Sequence, residues 1–212
     1  MCTWNPSELA AYLDGLVPPR PDVVLDMEAR AARERFPIIG PACGQWCYLI
    51  ARMLSARRVF ELGSGFGYST YWFARAVKEN GGGVVFHVDG DADLSSDARG
   101  SLTRLGLVDH VEFRIGEAVA VLRETPGPFD LIFNDIDKEQ YPASLPVIAD
   151  KLRPGGVLIV DNMLYGGRIF DGADQAPTVE GVRELTRRIV ADQGWIAALA
   201  PVRDGLMVAY RR

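Results

Sequence analysis

VFELGSGFGYST, residues 59–70, is the stretch from which the architecture is read. An apolar, β-prone run ends at Leu62, three glycines follow at positions 63, 65 and 67, and an amphipathic helical pattern begins at Tyr68. A strand that turns through glycines into a helix lets backbone approach a ligand closely beneath the helix N-terminus. The spacing is G-x-G-x-G, with Tyr68 standing where the dinucleotide pattern has its third glycine. A tight turn without any ligand is the other reading of the loop alone. Glu61 argues for a ligand, because a purely structural role at the end of a hydrophobic strand favours an apolar residue.

Working outward, strands are expected at 58–62, 84–89, 111–115, 130–134 and 157–161, and helices at 68–79, 93–105, 138–152 and 178–192. Such alternation predicts an α/β fold with a mostly parallel sheet and helices on both faces. Upstream, from Pro6 to Ala56, apolar residues recur at helical spacing, so residues 1–56 form a helical preface to a Rossmann-like core over 57–212. Downstream, WIAALAPV and LMVAYRR flank Arg203-Asp204-Gly205, a turn signal that predicts an antiparallel hairpin closing the sheet. At 212 residues the chain is expected to be a single domain. The longest loop-like stretch, MLYGGRIFDGADQAPT at 163–178, reads either as a functional lid or as disorder.

Composition excludes several function classes. With 23 Lys plus Arg against 28 Asp plus Glu, the net charge is −5, which disfavours nucleic acid as a partner. Three cysteines, Cys2, Cys43 and Cys47, cannot build a disulfide framework, and with only His87 and His110 a closed zinc site lacks candidates. No leader pattern and no membrane-length apolar run occur, so a cytoplasmic protein with no membrane partner is expected.

The chemistry concentrates at strand ends. Asp89 closes the second strand, 22 residues beyond Gly67, where such sheets place an acid on ribose hydroxyls; a surface turn through Asp89-Gly90-Asp91 is the alternative. Asp135 follows the strand FDLIFN, and Asp161-Asn162 follow GGVLIV. Carboxyl ends of parallel strands line one crevice, so Glu61, Asp89, Asp135 and Asp161 are expected to converge. Acids so close repel unless a cation, donors or a cationic ligand compensates; the hard oxygens of Asp135, Asp161 and Asn162 suit Mg²⁺ or a similar ion, and helix N-caps after the strands are the alternative. Asp137 reads as a helix N-cap. Lys138, three residues past Asp135, is expected to aim its amine at the proposed ion, which would depress its pKa and suit it as a general base.

These motifs resemble the cation-dependent O-methyltransferases of the catechol and caffeoyl-CoA type, which use S-adenosylmethionine. The likeness runs through GQWCYLIARMLSARRVFELGSGFGYST, HVDGD, FDLIFNDIDKEQYPASL, LRPGGVLIVDNMLYGG and PVRDGLMVAYRR. Asp135-x-x-Lys138 together with Asp161-Asn162 is its most specific part. The resemblance implies a class I methyltransferase fold of seven strands with the last one reversed. It implies that Asp135, Asp161 and Asn162 hold the divalent ion and that Lys138 is the base or orienting residue. Glu61, Gly63, Gly65 and Ser69 would border the cofactor, with Asp89 on its ribose, Ala118 near its adenine and Asp135 shared between cofactor and metal. The acceptor would be a small aromatic with adjacent hydroxyls, and relatives of this type often form homodimers. Departures are Cys43 where an acid is common, the Pro37–Pro41 stretch where polar residues are usual, and Tyr165 in place of a Trp. The competing readings are a nicotinamide-dependent oxidoreductase using NAD, and a non-catalytic relative that only binds the cofactor.

Overall fold

The computed structural model describes residues 5–212; Cys2 lies outside them. Three helices, α1 (Pro6–Gly15), α2 (Asp22–Glu34) and α3 (Gly40–Met53), precede the sheet. Then come β1 (Arg58–Leu62), α4 (Tyr68–Glu79), β2 (Val84–Asp89), α5 (Ala92–Arg104), β3 (Val111–Ile115), α6 (Ala118–Glu124) and β4 (Phe129–Asn134). The chain ends with α7 (Tyr141–Lys151), β5 (Leu152–Val160), α8 (Pro177–Ala191), β6 (Trp195–Ala200) and β7 (Leu206–Arg211). The seven strands lie in the order β3-β2-β1-β4-β5-β7-β6, and β7 alone runs against the rest. The expected fold class and closing hairpin are therefore as observed.

Side-chain alternation divides the core into two layers. Val59, Val85, Leu131 and Ile159 meet α2–α5 on one face, while Phe60, Phe86, Ile132 and Leu158 meet α6–α8 on the other. Each fully buried aromatic or aliphatic side chain contributes about 2 kcal/mol of transfer free energy. At the amino ends of the strands, Asp130 accepts from the Arg57 and Arg58 N–H groups at 2.8 and 2.9 Å and from Arg153 Nε at 2.7 Å. Burial alone would raise the Asp130 pKa, but Arg153 and the two N–H groups hold it below the ordinary value.

Several boundaries differ from the sequence expectation, each for a local reason. β5 starts at Leu152 rather than 157 and stops at Val160, because Arg153 is tied to Asp130 and Leu152 pairs with Phe129. The expected helix 138–152 divides into a 3-10 turn, Lys138–Gln140, and α7; Pro142 lacks the N–H that a helix begun at 138 would need. Helix α6 was not anticipated. It has only seven residues, and Glu117 caps it by accepting from Val119 N and Ala120 N at 3.0 and 2.7 Å. Asp137 sits at the N-cap position of its turn but makes no side-chain cap bond, so that expectation fails.

The 163–178 stretch is an ordered wall, not a disordered loop. It contains a 3-10 segment, Tyr165–Phe170, and Arg183 on α8 donates to the backbone oxygens of Asp174 (2.7 Å), Asp171 (2.5 Å) and Ile169 (3.2 Å). Among the described residues, no helix is long and apolar enough to cross a membrane.

Candidate active site

The strand order reverses between β1 and β4, and a cleft of about 570 Å³ opens at the carboxyl ends there. Its size lies within the roughly 300–1,000 Å³ of small-molecule sites. The turn after β1 and the turn after β4 form its floor. Gly63 has φ +82°, and a Cβ there would lie 2.7 Å from the Asp135 carbonyl oxygen, so only glycine lets these turns touch. Past the glycines, Gly67 opens α4 with its free N–H groups toward the loop.

Gly63, Gly65, Ser69, Asp89, Ala118, Asp135, Lys138, Asp161 and Asn162 all line this one cleft. Asp89 lies in the turn of its alternative reading and also braces the glycine loop. Its Oδ2 accepts from Gly65 N at 2.7 Å, holding the glycine loop, and its Oδ1 accepts from Asp91 N at 2.9 Å in the turn. Each oxygen keeps a second lone pair for a ligand hydroxyl.

Glu61 departs from the expected convergence. It is fully buried and does not border the cleft, because strand alternation turns it onto the α3–α4 face, beside His87 of β2 and Phe133 of β4. Burial pushes its pKa up to about 7; the Ser69 and Thr70 hydroxyls temper the rise, and Asp135 adds to it. Those hydroxyls are near without bonding well, since neither carboxylate oxygen has a partner within hydrogen-bond geometry. Thr70 Oγ1 instead lies 3.0 Å from His87 Nδ1, and burial, followed by Arg99, brings the His87 pKa down to about 3.

The acidic end of the cleft is built by three connections. Lys138 Nζ donates to Asp135 Oδ1 at 2.8 Å and to the Ile136 carbonyl at 3.1 Å. Tyr141 Oη donates to the Asp161 carbonyl at 2.9 Å, fixing the end of β5 against α7. Asn162 adopts a left-handed conformation, φ 57°, and its Nδ2 donates to Asp204 Oδ2 at 3.2 Å, which leaves its Oδ1 as an acceptor. Asp161 is only 1% exposed; its Oδ1 has no partner, and its Oδ2 accepts from Arg203 Nη1 at 3.3 Å. Burial, and then repulsion from Asp135, lift the Asp161 pKa to about 7. Burial likewise raises Asp135, against the pull of Lys138.

An orphaned, buried carboxylate oxygen beside a second carboxylate and an amide oxygen is a donor set that a hard divalent cation fits. Among the described residues, no group of three or more His, Cys, Asp or Glu gathers as a metal site, here or elsewhere; the set in this cleft is two carboxylates and one amide. Arg203, Thr178, Gln140 and Phe36 also line the cleft and were not singled out from the sequence, whereas Ile38 and Ile39 belong to the Pro37–Pro41 stretch already noted as a departure. Arg203 was legible only as part of a turn. Tyr165, noted for its position, also reaches the wall.

Comparison with known proteins agrees with this geometry. The family described as O-methyltransferase matches residues 26–212. A catechol O-methyltransferase of Mycobacterium tuberculosis is 36% identical over 85% of this chain and 83% of its own, and one of Niastella koreensis is 31% identical over 85% and 84%. The crystal structure of an O-methyltransferase from Bacillus cereus in complex with SAH superposes with a TM-score of 0.87, at 29% identity and 97% coverage of both chains. With a glycine loop, strand-end acids and a reversed β7 in one arrangement, and with matches of this extent, the chain belongs to the O-methyltransferase family.

Proposed function

We propose that this O-methyltransferase takes its methyl group from S-adenosylmethionine and delivers it, with the help of a divalent cation such as Mg²⁺, to one hydroxyl of a small catechol-like acceptor. The observation that carries this reading is the meeting of Asp135, Lys138, Asp161 and Asn162 with the glycine loop in a single cleft. The catechol O-methyltransferase names of the relatives, and the SAH in the Bacillus cereus structure, point the same way.

In this reading the backbone of Gly63 and Gly65, Ser69 and the N-terminus of α4 hold the amino-acid end of the cofactor, and Asp89 accepts from its ribose hydroxyls. Ala118 borders the adenine. A bound sulfonium already carries a good leaving group, so no covalent nucleophile is required of the protein. Asp135, Asp161 and Asn162 would hold the cation, whose charge stabilises an ionised acceptor oxygen. Lys138 Nζ, fixed as an ammonium against Asp135, orients the acceptor hydroxyl. Tyr165, Ile38 and Ile39 line the cleft and would give the acceptor an apolar wall. Positioning and charge stabilisation supply the acceleration.

A methyl-transfer assay on a panel of diols, run with and without chelator, tests the proposal. Turnover is expected only with the ion present, and full turnover in chelator would remove the metal from the mechanism. Buried, unpaired Cys43 and Cys47 suit the reducing cytoplasm. Trp46, Leu49 and Met53, exposed at helical spacing on α3, support a homodimer through that helix, which sedimentation analysis would test.

A further inference from the structure

Arg203 combines two features that a simple hairpin turn does not require. It is not glycine, yet its backbone lies at φ 51°, a conformation that disfavours a side chain. And its guanidinium, on a side chain that stays 36% exposed at the mouth of the cleft, reaches the buried Asp161 carboxylate at 3.3 Å. The turn that carries it is clamped. Asp204 accepts from Asn162 Nδ2 and, at 2.6 Å, from Gly166 N, while Leu164 N and Met163 N donate to the Asp204 and Gly205 carbonyls at 2.7 and 3.0 Å. Arg203 is thus held by the same segment that presents Asp161 and Asn162.

The charges pair off. Lys138 takes Oδ1 of Asp135, and Arg203 takes Oδ2 of Asp161, so each carboxylate has one oxygen committed to a side-chain cation. We infer that Arg203 is a built-in counter-ion of this acidic end, and that it lowers the affinity of the site for a divalent cation. The inference rests on the metal reading proposed above and adds a residue which opposes that ion. Two carboxylates already matched by two cations attract a free divalent ion weakly, and an ionised acceptor arriving with the ion offsets part of its charge. The ion would then be taken up together with the acceptor instead of being held by the empty enzyme.

The test is isothermal titration of MnCl₂ into the full-length wild type, Arg203→Gly and Arg203→Gln, with circular dichroism to verify folding. Glycine suits the backbone at this position, so that variant should fold at least as well as the parent. Removing one unit charge beside a divalent ion should tighten Mn²⁺ binding about tenfold in both neutral variants, even with water screening the cleft. Equal or weaker binding in the variants, with the wild type still binding, would overturn the role of Arg203 and leave the metal reading intact. Tightening in the glycine variant alone would also overturn it, since backbone freedom and not charge would be the cause. Absence of Mn²⁺ binding in all three proteins would overturn both readings together.

Discussion

Replacing Glu61 by Gln should stabilise the protein at alkaline pH and do little at acid pH. The native carboxyl keeps its proton to about pH 7, whereas in the unfolded chain it ionises near 4.5. Stability is therefore lost as pH rises through that window, because the unfolded chain releases the proton first. A shift of this size corresponds to about 3 kcal/mol, set by burial of two carboxylate oxygens that have no partner. His87, its neighbour across β1 and β2, works in the opposite direction. Its native pKa near 3 against an ordinary 6.5 makes stability grow as pH rises between those values. The two slopes oppose each other in the wild type from about 4.5 to 6.5, and the Gln variant leaves only that of His87. Urea unfolding at pH 4, 6 and 8 measures this directly. The stability gap between variant and wild type should widen by about 3 kcal/mol from pH 4 to pH 8. A gap that is the same at all three values would refute the assignment of Glu61 as a buried, unpaired acid.

Other outcomes follow from the same geometry. Gly181 on α8 lies so close to the Lys138 turn that a Cβ would fall 2.0 Å from the Lys138 carbonyl; Gly181→Ala should displace that turn, cost about 2 kcal/mol in stability and lower kcat at least about tenfold with little change in cofactor affinity. A variant with unchanged kcat would show that the turn tolerates the shift. Asp161→Asn removes a carboxyl whose pKa is raised to about 7, so it should melt higher than the wild type at pH 8, by a margin that disappears toward pH 4, while losing methyl transfer; steady-state assays and thermal scans would show both. Burial pushes the Cys43 thiol up to about 12 and Cys47 well above its ordinary value, so peptide mapping after a thiol reagent at pH 8 should find both unmodified until the protein unfolds.

Much was visible in linear order because it depends on local rules. Alternating strands and amphipathic helices declare a layered α/β sheet, Arg203-Asp204-Gly205 declares a hairpin, and residues just past parallel strands share one crevice whatever the details of packing. Asp89, Asp135, Asp161 and Asn162 could be picked out on that basis alone. Tertiary packing settled the rest. Whether an acid at a strand end faces the cleft depends on pleat parity and on the helix above it, and Glu61 fell on the buried side beneath α4. The short helix α6 rests on one capping carboxylate, too few residues to carry a period. Arg203 reaches Asp161 across 42 positions because β7 inserts between β5 and β6, bringing their connecting turn over the end of β5. Such a contact has no local signature: it exists only after non-neighbouring strands have paired and brought distant charges within bonding distance.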